Sequence, residues 1–482
     1  MTAALVPIAA AFALAIGLGL YARRGRTMKL EEWSVGGRRF GTLFVFLLMA
    51  GEIYTTFTLL GGSGWAYGKG APAFYIICYG TVSYVMSYWL LPPIWRYATE
   101  QKLLSQADFW ARQYGSKGLG LLVAVVGVVA LVPYLVLQLK GLGLIVSEAS
   151  YGRVDASTAI WLGTAALVTY VSASGIHGSA LTALAKDVLI LVVVVALGLW
   201  LPWTLFGGVG PMFARIAAER PEFLVLPARG MSASWFASTV LLSALGLYLW
   251  PQNFASIFTA KGPGALRRNA SLMPLYQLVL LFVFFTGFAA LLVVPGLEGA
   301  DVDLALLRLV RAELPPWVVG VVGAAGVLTA LVPGSMILMA AGTTLANTGY
   351  RALRPEADDA TIARVAKWGV PAVAAVALWF TLRGGTTIVA LLLMGYAFVT
   401  QLFPSLLLAL LGGRWRVPAL AAGAGIVAGV ATVAVQTLSG VTLAQLAPGL
   451  PGAVLDLNVG VVALLVNVAV TGAVAVVTRP SR

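Results

Sequence analysis

Long apolar stretches separated by short polar segments run along the whole 482-residue chain. Each is long enough to cross the roughly 30 Å hydrocarbon core of a bilayer as a helix. The connections between them, the longest being 204–233, 295–316 and 347–365, are too short for a soluble domain. The pattern therefore predicts an all-α membrane protein with a single transmembrane domain over residues 1–482. It predicts thirteen spans, at 2–22, 41–67, 71–97, 119–147, 157–175, 179–203, 234–259, 272–294, 317–346, 366–382, 386–411, 417–436 and 457–477.

The composition supports a membrane protein, because 60% of the residues are hydrophobic and only 10% are charged. A soluble domain carries roughly a quarter charged residues. The net charge of +13 would suit nucleic acid, but its distribution along the chain follows membrane topology instead. A single cysteine, Cys78, and a single histidine, His177, exclude disulfides and Cys/His zinc sites.

Lysine and arginine alternate strongly between successive loops. If the N-terminus lies outside, 21 of the 31 basic residues fall in cytoplasmic segments and 8 in outside segments. Basic residues are retained on the cytoplasmic side, so we predict a plasma-membrane protein with its N-terminus outside and its C-terminus inside. The first apolar stretch has no basic segment before it, and we expect a retained span rather than a signal peptide.

Two spans carry helix-breaking residues near their middle. The second has Gly51 beside the charged Glu52, followed by three further glycines, and the seventh has Pro251 followed by Gln252 and Asn253. Broken helices are tolerated in a membrane where they line protein or a polar cavity, and transporters bind solutes there. The alternative is that these glycines and prolines only pack or kink the helices.

The two predicted breaks lie five spans apart. Because five is odd, spans 2–6 and 7–11 would have opposite orientations, which is the inverted-repeat arrangement. The pattern thus predicts a first repeat at 41–203, a second at 234–411, and peripheral spans at 2–22 and 417–477.

Four acidic or basic residues lie more than two residues inside predicted spans: Glu52, Lys140, Lys186 and Asp187. Such groups are costly in lipid and usually functional. Asp187 and Lys186 lie near a span end, so solvation or snorkelling is the alternative for each. His177 falls in a glycine-flanked turn, where a solvated or backbone-bonded side chain is the ordinary interpretation and a proton relay is the other.

Several segments, by their order and spacing, give the chain a likeness to one transporter family. They are EEWSVGGRRF, GGSGWAYG, ADFWARQYGS, SGIHGSALTALAKD and ALVPGSMILMAAGTTLANTGYR. The chain resembles the sodium:solute symporter family over nearly its whole length. This resemblance implies the LeuT-type fold, with spans 2 and 7 broken, and symport by alternating access. PYLVLQLKG, LWPQ and RRNASLMPLY resemble the bacterial monocarboxylate permeases, which implies a lactate-, pyruvate- or acetate-like substrate or a small amino acid.

The family holds its coupling cation between the first broken helix and the ninth span. By resemblance, the backbone carbonyls fall on Met49 and Glu52 and the nearby aspartate on Asp187. The family's pair of hydroxyl residues falls on Val332 and Pro333, neither of which can coordinate a cation through its side chain. Thr329, one turn earlier, is the nearest hydroxyl.

Lys186 stands where the family usually has a threonine, so its ammonium is expected to occupy the cation position. A lysine that binds and releases a proton during alternating access would couple transport to H⁺. We therefore favour H⁺ over Na⁺, whereas family membership alone favours Na⁺. No cofactor is expected beyond the coupling ion.

The substrate is expected between the two breaks, where side chains and exposed amides offer hydrogen-bond donors for a carboxylate. The candidate residues are Thr55, Thr56, Tyr134, Gln138, Tyr248, Trp250 and Gln252. Core packing is the alternative role for each. The expected partners are this small solute and the lipid bilayer, with no nucleic acid and no obligate protein partner.

Three other classes of protein fit less well. A sensor built on a transporter bundle would normally carry a signalling domain, and none follows within the 482 residues. An enzyme is not expected, since no metal-ligand cluster, nucleophile triad or phosphate loop is evident. A channel has no need of paired broken helices around a central site.

The charge pattern makes a testable prediction about topology. Single cysteines introduced into a Cys78→Ser background should be labelled from the cytoplasm in 23–40 and 347–365, because those loops carry the basic excess. Cysteines in 204–233 and 295–316 should react with an impermeant reagent added outside. A cytoplasmic N-terminus would contradict the predicted number of spans.

Overall fold

A computed structural model describes residues 2–25 and 29–478, and over these residues the chain is helical without any β-strand. Arg26 of the predicted cytoplasmic loop and residues 479–482 of the predicted cytoplasmic C-terminus lie outside the described residues. The first nine helices are α1 Thr2–Arg23, α2 Leu30–Val35, α3 Thr42–Gly51, α4 Ser63–Lys69, α5 Tyr75–Glu100, α6 Gln106–Tyr114, α7 Lys117–Ala149, α8 Ala156–Phe206 and α9 Val209–Glu219.

The second part of the chain holds fourteen further α-helices. They are α10 Ala233–Gly246, α11 Pro251–Thr259, α12 Pro263–Gln277, α13 Leu280–Val293, α14 Ala305–Glu313, α15 Pro316–Thr344, α16 Arg351–Leu353, α17 Asp359–Arg383, α18 Ile388–Val399, α19 Phe403–Leu411, α20 Ala419–Ser439, α21 Leu443–Leu446, α22 Gly452–Leu455 and α23 Val459–Thr478. Wider, π-helical turns occupy Phe57–Gly62 and Leu345–Tyr350. Short 3₁₀ turns occupy Gly36–Arg38, Ala71–Phe74, Pro221–Leu224, Leu247–Leu249, Gly299–Leu304, Thr400–Leu402 and Gly413–Trp415.

Ten helices of the described chain are long and apolar enough to cross a membrane, and the bent pair α10–α11 would make an eleventh span. Large apolar side chains remain exposed on their outer faces, for example Trp89, Trp203 and Trp368. Exposed apolar surface of this kind suits contact with lipid rather than water. The protein is therefore a polytopic helical membrane protein.

Helix α15 forms the centre of the bundle, because every residue from Val322 to Thr344 is buried. It packs against α1, α7, α8 and α17. Small residues along α15, including Gly323, Gly326 and Gly334, let side chains of neighbouring helices approach its backbone closely. This central helix and α8 form the wall against which the interrupted helix α3 packs.

Helix α8 is two arms that meet at Gly175. That residue has φ 55° and ψ −157°, a conformation almost confined to glycine. The Tyr170 hydroxyl donates a hydrogen bond to Thr182 Oγ1 at 2.8 Å, although residues twelve apart lie about 18 Å from each other along a straight helix. The chain therefore reverses at Gly175, and this reversal sets Lys186 and Asp187 on the second arm.

Hydrogen bonds and an ion pair join separate elements at both ends of the bundle. At the end where α3 begins, Phe40 pairs with the end of α11, since its N–H donates to the Thr259 carbonyl and its own carbonyl accepts from Lys261. At the opposite end, Lys140 Nζ lies 2.7 Å from Asp303 Oδ2 and donates to the Thr386 carbonyl at 2.8 Å. Each set joins elements that are distant in sequence.

The reversal at Gly175 makes a testable prediction about stability. Gly175→Ala should lower the melting temperature of the detergent-purified protein, at a cost of about 1–3 kcal/mol for a side chain in this conformation. An added Cβ would also lie 2.6 Å from Trp33 Cδ1. Gly472→Ala on α23, where a Cβ meets open space, is the control and should unfold no earlier than the parent. Equal melting temperatures for the two variants would contradict the prediction.

Candidate functional site

The first break lies between α3 and the π-helical turn at Phe57–Gly62. The Thr58 hydroxyl donates to the Thr55 carbonyl at 3.0 Å and accepts from the Thr55 N–H at 3.0 Å, and the Phe57 N–H donates to Thr55 Oγ1. The hydroxyls of these threonines form hydrogen bonds with backbone groups that would bond to each other in a continuous helix. Short hydroxyl side chains compete with helical hydrogen bonds in this way. The result is an unwound stretch at Glu52–Thr55, buried within the bundle.

The second break lies between α10 and α11, which meet at an angle of 51°. Trp250 is extended, as expected for a residue before proline, and Pro251 opens α11, where its missing N–H costs nothing. The Asn253 side chain donates to the Leu247 carbonyl at 2.8 Å, and Gln106 donates to the Leu249 carbonyl. Side-chain amides thus donate hydrogen bonds to carbonyls that have no helical partner at the break.

Lys186 points from the second arm of α8 into the first break and is fully buried. Its ammonium donates to the carbonyls of Gly51 and Tyr54, both at 3.0 Å, and lies 2.9 Å from Asp187 Oδ1. Three oxygens therefore surround a group that has three N–H donors. A buried charge is tolerated only when it is paired and hydrogen-bonded in this way.

The oxygens around Lys186 differ from those that the resemblance indicates. The carbonyls in contact are those of Gly51 and Tyr54, whereas the Met49 carbonyl accepts the Glu52 N–H at 3.2 Å. The Glu52 side chain points elsewhere, as described below.

On α15, which faces the break, Thr329 turns its hydroxyl to the Gly326 carbonyl of its own helix at 2.6 Å. Val332 packs with Leu47 and Ala183, between α3 and α8. Pro333 has no N–H to give to the Thr329 carbonyl. The described part of α15 thus turns an apolar surface, rather than a pair of hydroxyls, towards this position.

Glu52 links the two breaks. Its Oε2 accepts hydrogen bonds from the Tyr134 hydroxyl on α7 and from Gln252 Nε2 on α11, both at 3.1 Å. The side chain is 9% exposed, and Oε1 has no hydrogen-bond partner among the residues that the structure describes. A carboxylate is acceptor-only, so these two donors orient it while one oxygen stays available.

A narrow buried cavity, with a free volume of about 10 Å³ or room for about one water molecule, adjoins Glu52 and lies between the two breaks. All of its lining residues are buried. They are Glu52, Ile53, Phe57, Thr58, Tyr79, Gly80, Tyr84, Tyr134, Leu247, Trp250, Asn253, Gln277, Leu392 and Tyr396. Buried cavities lined by aromatic side chains and a few convergent polar groups are typical of small-molecule sites.

Of the sequence-predicted substrate residues, Tyr134 and Trp250 line this cavity, and Gln252 contacts its carboxylate. Tyr248 packs next to it against the Tyr84 ring, with centroids 6.4 Å apart.

The other three predicted residues make structural contacts within the described chain. Thr55 stabilises the first break, and Thr56 donates to Gln138 Oε1 at 2.8 Å and to the Leu137 carbonyl at 3.2 Å. Thr56 and Gln138 thus join the break to α7. Neither is among the residues that line the cavity.

Several lining residues are absent from the sequence-based set: Tyr79 and Tyr84 on α5, Gln277 on α12, and Tyr396 on α18. A polar Gln277 inside an apolar span was a usable signal. The tyrosines carried no such signal, because helix periodicity does not show which neighbouring helix a ring will face.

Asp303, placed by the sequence in a loop, is fully buried as the partner of Lys140.

The architecture matches that of known secondary transporters. Superposed on a substrate-bound, outward-open Na⁺-coupled sialic acid symporter, the structure gives a TM-score of 0.81 at 14% identity, covering all of this chain and 98% of the other. At this identity the likeness concerns the fold alone, which is LeuT-like and all-helical.

The sodium:solute symporter family model matches residues 33–424. The chain belongs to this family. An uncharacterized symporter of Bacillus subtilis, YhjB, is 56% identical over 482 residues, covering 100% of this chain and 98% of the relative. A monocarboxylate transport permease protein of Rhizobium johnstonii is 30% identical over 423 residues, with 86% and 84% covered. The family and these relatives are transporters rather than enzymes.

The contact between Gln252 and Glu52 makes a testable prediction about transport. Gln252→Ala should raise the apparent KM for the solute roughly five- to a hundredfold, because the Glu52 carboxylate loses one of its two orienting donors. Uptake of labelled L-alanine and L-lactate into liposomes measures it. Gln101→Ala at the exposed end of α5 is the control. An unchanged KM in Gln252→Ala would remove this residue from the site.

Proposed function

We propose that this protein is a symporter for a small organic solute of the monocarboxylate or small amino acid class, working by alternating access around the cavity beside Glu52. Membership of the sodium:solute symporter family supports solute symport. The position of the cavity between two interrupted helices supports its use as the transport site, because transporters bind solutes at such breaks. The similarity to a relative named as a monocarboxylate transport permease supports the substrate class.

The proposed arrangement in the membrane has thirteen spans, with the N-terminus outside and the C-terminus in the cytoplasm. Two five-span repeats, 41–203 and 234–411, would each open with a broken helix. The basic loops support this orientation. The reversal at Gly175 supports counting α8 as two spans, since 51 helical residues would measure about 76 Å if straight.

We further propose that the Lys186 ammonium takes the position of the coupling cation and that transport is coupled to H⁺. The observation that carries this proposal is the oxygen shell around Nζ, formed by two carbonyls of the broken helix and the Asp187 carboxylate. Hard cations in proteins are held by oxygen ligands of these kinds. When the break and α8 separate, Nζ loses these contacts, and a proton can leave the amine for water.

Coupling to Na⁺ is the second candidate, and membership of a sodium:solute symporter family favours it. Sodium would then have to bind with Lys186 displaced, or at another position. Val332 makes apolar contacts and residue 333 is a proline, so neither side chain supplies an oxygen ligand for Na⁺ from α15.

The coupling proposal predicts the ion dependence of uptake. In liposomes holding the full chain, accumulation of labelled L-alanine or L-lactate should follow an imposed pH gradient and change little with sodium. Lys186→Ala should lose uphill accumulation but retain solute exchange, because the cavity beside Glu52 keeps its lining. Lys69→Ala, at an exposed lysine ending α4, is the control.

A variant designed to gain a sodium response gives a second test of the coupling proposal. Adding Val332→Ser and Pro333→Ser to Lys186→Ala supplies hydroxyls facing the released carbonyls and should create a sodium response. Size-exclusion profiles verify that each variant is folded. Steep sodium dependence of the wild-type protein at constant pH would overturn the lysine proposal.

A further inference from the structure

Aromatic rings dominate the wall of the cavity beside Glu52. They belong to Phe57, Tyr79, Tyr84, Tyr134, Trp250 and Tyr396. The rings of Tyr134 and Trp250 lie 4.8 Å apart, and Tyr396 contacts both Trp250 and Tyr79. Ring faces carry partial negative charge and attract cations, most strongly where water is excluded.

Glu52 is the one charged residue in this lining, and within the described chain no lysine, arginine or histidine shares the wall with it. The other two buried acids are matched by lysines, Asp187 by Lys186 and Asp303 by Lys140. Glu52 has only the neutral donors Tyr134 and Gln252. The cavity therefore presents a carboxylate without a basic residue at hydrogen-bonding distance.

Three side-chain atoms of the wall lack a hydrogen-bond partner within residues 2–25 and 29–478. Two are acceptors, Glu52 Oε1 and Gln277 Oε1, and one is a donor, Trp250 Nε1. Buried polar groups without a partner are costly and call for an explanation. A ligand that donates hydrogen bonds at one end and accepts a hydrogen bond at the other would give all three atoms a partner.

We propose that the solute carries an ammonium group bearing N–H donors and is a zwitterionic amino acid, bound by Glu52 and the aromatic rings. This inference rests on the proposed function, within which it selects the amino acid over the monocarboxylate. The ammonium pairs with Glu52 Oε1 and Gln277 Oε1, and the Trp250 indole N–H meets the solute carboxylate.

The same geometry disfavours an acid without an amine. Its carboxylate would face the Glu52 carboxylate in a cavity of low dielectric, where like charges repel strongly. Lys186 does not relieve this repulsion by direct contact, because its ammonium is engaged by Gly51, Tyr54 and Asp187 behind the unwound backbone.

Matched pairs of compounds test this proposal on the purified full chain in detergent. L-alanine and L-lactate differ only in an ammonium or a hydroxyl, and L-proline and tetrahydrofuran-2-carboxylate differ only in a ring nitrogen or oxygen. Calorimetric or thermal-shift titration should give the ammonium member of at least one pair about tenfold or more tighter binding. Titrations with and without Na⁺ at the same pH make the comparison within each pair independent of which ion drives transport.

A variant then assigns the preference to Glu52. Glu52→Gln should reduce binding of the preferred ammonium compound about tenfold or more and bring it near its oxygen analogue. Glu356→Gln, at an exposed acid, is the control and should bind as the parent does.

The wild-type titration alone suffices if Glu52→Gln fails to fold. Oxygen analogues that bind as well as their ammonium partners in both pairs, or no ammonium compound binding at all, would overturn the inference. An unchanged preference in folded Glu52→Gln would overturn it as well. Sodium-driven uptake would contradict only the proposal for Lys186.

Discussion

The contact between the Lys186 ammonium and the unwound part of the first broken helix is the interaction on which the centre of the structure depends. An interrupted helix inside a bilayer leaves carbonyls that lipid cannot satisfy. Two of these carbonyls, from Gly51 and Tyr54, receive the ammonium, and Asp187 balances its charge. The break, the charge and the carbonyls thus support one another, and removing the lysine would leave a buried acid and two carbonyls without their partner.

The unwound segment also lies between two polar regions. One holds the Lys186–Asp187 ion pair, and the other holds Glu52 with its neutral hydrogen-bond donors. Lys186 and Asp187 lie on the α8 side of the unwound chain, where Val332 and Ala183 surround the break with apolar groups. Glu52 leaves the same unwound segment towards α7 and α11. A few residues without helical structure therefore contact an internal ion pair on one side and the cavity beside Glu52 on the other.

Much of the architecture could be predicted from the sequence, because its physical causes are local. Apolar length gives the spans, Pro251 forces Trp250 out of the helix, and Gly175 permits the reversal in α8. Lys186 and Glu52 were recognisable because charge inside an apolar run is rare.

The composition of the cavity was less predictable, because it depends on contacts between distant segments. Tyr79, Gln277 and Tyr396 come from three helices and meet only after the bundle has packed. The resemblance assigned the cation ligands to the carbonyls of Met49 and Glu52, whereas the carbonyls that contact Lys186 are those of Gly51 and Tyr54. In an unwound segment, carbonyl direction changes from residue to residue, so alignment by motif does not determine which carbonyl points inward.

The proposed alternating access requires that some helices move together, and hydrogen bonds join α3 to α11 in two places. Helices α3 and α11 are joined at their breaks through Glu52 and Gln252, and at the bundle end through the backbone pairing of Phe40 with Thr259 and Lys261. Two attachments at separate depths resist both sliding and hinging between the pair. Between α8 and α3, Lys186 supplies the polar contact, beside the apolar packing of Ala183 against Leu47. In the proposed transport cycle, a movement of the α3–α11 pair relative to α8 would therefore act directly on the oxygen shell of Lys186.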